Sequence, residues 1–311
     1  QSGLTSSAPG PLTLAQDITL EPFTTNFIGG ANDIVLNGTV FDAGMNTTLL
    51  VGGVGGGIVT FADANNRADF VNVTGGTANL TGGLDTNGVL IDPGATLAGT
   101  GQIYNGTTTV QNGGIINPGD ATIVDSIGTL NTQTLLLSSG SLLNWDFAAP
   151  GTNDQVAING ALTLDGTLNI NNLTGFGLGS YTLFTYTPGS LTNNGLTVTP
   201  IGSLPGVFFG VDVSVAGIVT LLVNGTITQY WDGPNALAGV VEGGTHIWDS
   251  SATNWTDSTG ATNGTWNGID AVFTAAAGTV DVSGTQDFAS LYFQTDGYSV
   301  INGTLNGAAS S

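Results

Sequence analysis

Between Asn87 and Asp120 the chain is cut into pieces too short to fold alone. The β-branched runs Val89–Ile91, Thr107–Val110 and Ile115–Ile116 alternate with Pro93-Gly94, Asn105-Gly106, Asn112-Gly113 and Pro118-Gly119. Glycine supplies the positive φ of tight turns, and proline pre-sets the preceding corner. Strands this short are not stable as isolated hairpins. Stacked as coils of a solenoid, they bury one common apolar column. The same rhythm runs on both sides of this stretch. It passes through Ile18–Leu20, Ile34–Leu36 and Thr48–Val51 before it, and Leu135–Leu137, Leu142–Trp145, Leu162–Leu164 and Leu168–Ile170 after it. Gly189–Val223 reads as longer strands: Leu196–Val198, Val207–Phe209, Val211–Val215 and Ile218–Val223. Period-2 alternation with such breaks predicts an all-β solenoid with very little helix. One helical turn is expected at Asn235–Val241, ended by Gly243-Gly244.

Charge narrows the choice of partners. The 311 residues hold 22 Asp or Glu against a single Lys or Arg, Arg67, for a net charge of −21. Nucleic acid binding needs several cations to displace phosphate counterions, and docking on anionic lipid needs them too, so both are rejected. Ion pairs cannot hold such a fold, so packing and backbone hydrogen bonds must. The acidic surface favours solubility and attracts Ca²⁺ or cationic partners. Only 7% of residues are charged, yet 40% are hydrophobic, which supplies a core and argues against disorder. Cysteine is absent, which suits a secreted protein that does not depend on disulfides. No signal-peptide pattern opens the chain, and no apolar run is long enough to cross a bilayer as a helix.

Several blocks carry a resemblance. Gly83–Gly101 and Gly113–Leu130 resemble coils in the passenger region of bacterial autotransporters, the second interrupted by residues 120–126. Ser141–Phe147, Asp154–Ile170 and Gly179–Tyr186 continue that resemblance in the family's order. From Tyr230 to Gly303, Trp231, Trp248, Trp255, Ala271-Val272-Phe273 and Asp296-Gly297-Tyr298 fall in the order of the autotransporter-associated β-strand repeat. The resemblance implies a right-handed parallel β-helix on the bacterial outer-membrane surface. It divides the chain into a passenger-like solenoid, residues 1–228, and a Trp-rich repeat, residues 229–311, that continues it, with a soft boundary near Asn224–Gln229. The chain reads as an incomplete family member, without the alternating segments of a membrane β-barrel.

Candidate chemistry is sparse. A Ser–His site needs a base next to its nucleophile and a third group to orient the base. Here there is one histidine, His246, followed by Asp249 and Ser251. On a strand, residues three apart point to opposite faces, so no triad is expected. Carboxylates such as Asp85, Asp92, Asp120 and Asp125 are available for glycoside hydrolysis, but their spacing fixes no pair. His or Cys metal sites are excluded by count. Calcium is the one cofactor left open, through Asp92 and Asp120 in their Pro-Gly turns or through Gly52–Gly57, half of a Gly-rich nonapeptide in which Gly57 replaces the needed Asp. Arg67 is expected in a polar loop, pairing Asp63 or Asp69. The Asn-x-Thr triplets are read as turns.

Trp231, Trp248, Trp255 and Trp266 are the interaction candidates, since exposed tryptophans stack on sugars or fill partner pockets. The competing reading makes them the core of the repeat. These features predict a non-enzymatic, extracellular structural or adhesive protein that attaches or self-associates, as a filament or matrix. Its expected partners are other copies of itself, or a host or matrix glycan or protein. The alternatives are a polysaccharide-binding or polysaccharide-hydrolysing β-helix module, and a passive stalk.

Overall fold

The computed structural model describes residues 2–6, 10–42, 46–52, 55–200, 207–225, 228–234, 237, 239–261, 263–268 and 270–307. Among them the chain is all-β, with no helix. The expected helical turn at Asn235–Val241 lies partly outside the described residues, and its described members Leu237, Gly239, Val240 and Val241 are not helical. In Gly52–Gly57, positions 53 and 54 lie outside them as well. The chain forms two compact units: Gln1–Gly202 with Phe209–Val223, and Ser203–Phe208 with Asn224–Ser311.

The first unit is a β-solenoid with three strand-bearing faces. A nine-stranded sheet runs from Ser2–Ser6 to Leu191–Asn193, and a second runs from Leu12–Leu14 to Thr197–Pro200. The third face starts with the pair Ile18–Leu20 and Val40–Asp42. It continues as a sheet through Asn66–Arg67, Gly83–Asp85, Gln102–Ile103, Thr129–Thr132, Gln155–Ile158 and Gly179–Thr185. Neighbouring rungs pair in parallel and in register. On the first face Leu49, Val71, Val89, Thr108, Leu135 and Leu162 form one inward column, and Val51, Val73, Ile91, Val110 and Leu137 form the next. None of this second column is more than 1% exposed. Each such side chain contributes roughly 1.5–3 kcal/mol by leaving water, and alternation turns the residues between them outward.

Close stacking of rungs explains part of the glycine content. Gly99 has φ +121°, and a Cβ there would lie 1.9 Å from the carbonyl oxygen of Leu80 in the adjacent rung. Gly94, in the Pro-Gly turn of the same rung, has φ +79° but open space where a Cβ would go. One glycine is required by conformation and by contact, the other by conformation alone.

At its later edge the third sheet changes character. Gly179–Thr185 pairs antiparallel with Ile218–Gly225, and Val207–Asp212 lies beyond that strand. The strand expected at Val211–Val215 stops at Asp212, because its Oδ1 accepts the Ser214 N–H at 2.8 Å and turns the chain.

The second unit stacks Thr228–Trp231, Asp270–Phe273 and Ser290–Phe293 in parallel on one face. His246–Trp248, Thr279–Val282 and Ser299–Ile301 form another face, and Thr285–Phe288 with Thr304–Gly307 a third. Trp255–Thr256 adds antiparallel to the first.

Candidate functional site

The tryptophans of the second unit build its interior. Trp231, Trp248 and Trp255 are 0% exposed and pack with Phe273, Val280 and Val282. Trp231 and Trp248 each meet Trp255 nearly edge-on, at centroid distances of 5.1 and 5.0 Å, the geometry that ring quadrupoles prefer. Trp231 Nε1 donates to the Gly244 carbonyl at 2.8 Å. With no accessible ring face, these three cannot stack on a ligand in this conformation. Trp266 is half-buried against the cluster, its Nε1 donating to the Asp287 carbonyl at 2.8 Å. Of the four interaction candidates it alone has surface to offer.

His246 does not assemble a triad. Its Nδ1 lies 3.0 Å from Nδ2 of Asn254, which donates to it and to the Ile247 carbonyl. Asp249 Oδ1 accepts the N–H of Ser251, the N–H of Ala252 and the Ser251 hydroxyl. The backbone donors, Ser251 first, hold the Asp249 carboxyl below the usual range, with its hydroxyl bond and the His246 charge adding to them. Asp249 is thus a turn acceptor, and the Ser251 proton faces a carboxylate rather than an imidazole.

The two calcium candidates sit in separate turns. Asp92 Oδ1 accepts from Gln111 Nε2 at 3.2 Å, and the Asp92 carbonyl accepts the Ala95 N–H. Asp120 opens the segment that interrupts the passenger-like motif. That segment folds over the outer face of the second sheet: Asn79 Nδ2 reaches Asp120 Oδ1 at 2.8 Å, and the Ala121 N–H returns to Asn79 Oδ1 at 3.2 Å. Burial pushes the Asp120 carboxyl up, but the N–H and hydroxyl of Thr122 and the Asn79 amide outweigh it and leave the carboxyl below its usual range. Beneath the segment is a cleft of about 340 Å³ bordered by Asp120, Asp125, Asn144 and Asp146. Burial raises the Asp146 carboxyl, the Asn171 amide opposes this, and the Asp125 charge adds to it. Among the described residues no group of three or more His, Cys, Asp or Glu is arranged to hold a metal ion.

Deeper in the first unit, Asp154 is fully buried and accepts the N–H of Gly128 and of Asp146, each at 2.8 Å. Burial pushes its carboxyl up to about 8, against those two donors. Arg67 is in a strand, not a loop, and its Nε is 3.5 Å from Oδ1 of buried Asp42 rather than near Asp63 or Asp69. Asp42 is 25 residues earlier in the chain but sits on the neighbouring rung of the third face; only the coil register brings the two together.

The outer surface of the first sheet was not singled out by any motif. Leu50, Asn72, Leu90, Thr109, Leu136 and Thr163 form an outward column in register. Beside it stand Thr48, Phe70, Gly88, Thr107 and Thr134. From Thr48 to Thr163 this face carries no ionisable side chain, in a chain of net charge −21.

Stacked parallel rungs, turn glycines at the corners and faces of Asn, Thr and Leu define a β-solenoid of the kind found in autotransporter passengers. The chain is similar to the adhesin BmaC autotransporter of Brucella suis biovar 1 (strain 1330), with 35% identity over 330 residues and 94% of this chain aligned. It spans 9% of that relative's length. No family model matches the chain. In sequence and fold together, it fits an adhesin-like autotransporter passenger.

Proposed function

We propose that this chain is a non-enzymatic, adhesive section of a bacterial cell-surface protein, which attaches to another surface or to a second copy of itself. The observation that carries this reading is the uncharged first face. With 22 acidic residues in the chain, close approach of another acidic surface is disfavoured almost everywhere. A face of Leu, Thr, Asn and Phe lets a partner lie flat without that repulsion, and offers hydroxyls, amides and about half-exposed Phe70 over several rungs. The similarity to a named adhesin supports the same reading. Calcium enters the proposal as a screen between acidic copies, with Asp92 and Asp120 as its first candidate ligands.

The test is attachment and self-association of cells displaying the chain, together with the size of the purified chain against concentration by light scattering, with and without calcium. Leu136→Asp with Thr163→Asp adds charge to the face at solvent-facing positions, and Ser180→Asp adds it on the third face as a control. The double variant is expected to abolish attachment and concentration-dependent growth while the control retains both. Equal behaviour of all three would remove the first face from the proposal. A parent chain that neither attaches nor associates would remove the adhesive reading.

A further inference from the structure

Where the third face turns into the first, three neighbouring depressions share lining residues and follow one another as a shallow groove. The first, about 310 Å³, is lined by Asn65, Arg67, Asp85, Tyr104 and Asn105. The second, about 130 Å³, shares Arg67 and Asp85 and adds Asp69 and Asn87. The third, about 430 Å³, shares Asn87 and reaches Phe70, Leu90 and Thr107. We propose that this groove, with Tyr104 at one end, Phe70 at the other and Arg67 between them, binds a short uncharged oligosaccharide. The inference deepens the adhesive reading, and rests on it, by naming a class of ligand.

Both aromatic ends are built into the backbone. Tyr104 is 42% and Phe70 50% exposed. The Tyr104 ring lies over Gly83, where a Cβ would come within 2.7 Å of it, and Phe70 lies over Gly88, where a Cβ would sit 3.5 Å away. Each ring is therefore supported on one side by a rung without a side chain and keeps its other side for a ligand. The ends are two rungs and about three residues apart, a span on the order of 10–15 Å. Ring faces spaced this way suit the apolar faces of sugar rings.

The middle of the groove supplies polar groups of both kinds. Arg67 is held by Asp42 through Nε, and Asp42 in turn accepts the Thr47 hydroxyl at 3.0 Å. The Arg67 side chain remains 59% exposed and lines both of the first two depressions. Asp85 stands beside Arg67 in backbone register on the next rung and accepts from Asn105 Nδ2 at 2.7 Å through one oxygen. A polyol both donates to carboxylates and accepts from a guanidinium, so neighbouring hydroxyls match this mixture.

Other occupants fit less well. An anionic glycan would meet Asp69 and Asp85 beside the single cation. A basic peptide would meet Arg67 at the centre. An extended peptide adding to a sheet needs an unpaired edge several residues long; Gly83–Asp85, Phe70–Val73 and Gly88–Ile91 are paired on both sides, and Asn66–Arg67, which ends its sheet, is two residues long, with the Val40 N–H of the preceding rung bonded to Asn66 Oδ1 at 2.9 Å.

The experiment uses the purified chain on an array of neutral, carboxylated and sulfated oligosaccharides, followed by titration calorimetry with the best binder. Binding to a neutral glycan is expected, with little dependence on salt. Tyr104→Ala, Phe70→Ala and Arg67→Lys, which keeps a cation for buried Asp42 but removes the guanidinium fork, should each weaken it tenfold or more, with unchanged circular dichroism, while Tyr292→Ala in the second unit leaves it unchanged. Because Arg67 is the only Lys or Arg, phenylglyoxal modification read by mass reports on one guanidinium, and bound glycan should slow it at least fivefold. Binding to no neutral glycan, preference for acidic glycans, or affinity indifferent to the three substitutions would overturn the proposal. Attachment of cells by the glycan-blind variants would sink this site while leaving the adhesive reading intact. Glycan binding by a chain that attaches to nothing would do the reverse.

Discussion

Replacing Gly99 and Gly94 separately by alanine tests whether rung stacking, rather than turn geometry, makes glycine indispensable. At Gly94 alanine adopts a left-handed conformation in open space, costing about 1–2 kcal/mol, offset by about 0.4–1 kcal/mol from a stiffer unfolded chain. The net loss is about 1 kcal/mol. At Gly99 the same conformational cost applies, and the new methyl also stands about 1.5 Å inside ordinary contact with the Leu80 carbonyl oxygen. That oxygen accepts the Gly101 N–H at 2.8 Å, and Gly99 exchanges two backbone bonds with Gly119 at 2.7 and 3.1 Å. Relieving the clash separates the rungs at these three bonds, each worth about 1 kcal/mol net. The expected loss for Gly99→Ala is therefore roughly 4 kcal/mol. Urea unfolding followed by tryptophan fluorescence gives the global difference. Hydrogen exchange of peptides covering residues 96–104 and 115–121 localises it, which matters because stacked repeats open in part. If the two variants lose stability equally, within about 0.5 kcal/mol, or if exchange rises equally along the chain, the stacking argument is wrong.

Three further predictions follow from packing and titration. Leu143→Ala, at 0% exposure, should cost about 2–5 kcal/mol, whereas Trp145→Phe should cost less than other large-to-small changes in that column, because its buried indole N–H has no partner; calorimetry of the pair checks the order. Asn79→Ala removes two ties to the 120–126 segment, leaving the bond from Asn171 to Asp125 at 3.3 Å, and should raise amide exchange at Ala121–Ile123, with the second sheet still protected; unchanged exchange there would mean that the Asn79 bonds do not hold the segment. For Asp154, the folded carboxyl is raised to about 8 from an ordinary value of 3.8. The folded state then holds the proton more tightly, so its contribution is complete below about pH 4 and is lost as pH rises towards 8, at no more than about 1.4 kcal/mol per pH unit. Urea midpoints of the parent should fall faster than those of Asp154→Asn between pH 5 and 8; parallel curves would show that the two backbone donors keep Asp154 ionised throughout.

The solenoid was legible because its signals are local. Gly94, Gly106 and Gly113 have φ of +79°, +72° and +82°, as the Pro-Gly and Asn-Gly pairs require, and Thr107–Val110 is a strand as read. The short strand Gln102–Ile103 escaped notice because two residues carry no periodicity. The candidate surfaces were less readable. The Arg67–Asp42 pair, the nearness of Tyr104 to Phe70 and the neutrality of the first face all depend on register between rungs, which on that face varies from 18 residues between Val71 and Val89 to 29 between Leu162 and Leu191. The four candidate tryptophans were conspicuous in sequence because they are large, and three of those four are buried for the same reason.

The position of Arg67 also bears on how such a chain survives outside a cell. Proteases that cut after lysine or arginine have one scissile bond in all 311 residues. That bond joins the last residue of the short strand Asn66–Arg67, paired to Gly83–Asp85 on one side, to Ala68, which is 1% exposed and whose N–H bonds the Asp85 carbonyl at 3.1 Å. Cleavage needs an extended, accessible segment of several residues, which this rung yields only by opening. A trypsin-like enzyme must therefore wait for this segment to open, and the rate of a native-state digest, compared with the single cut of the urea-unfolded chain, would measure the stability of that one rung.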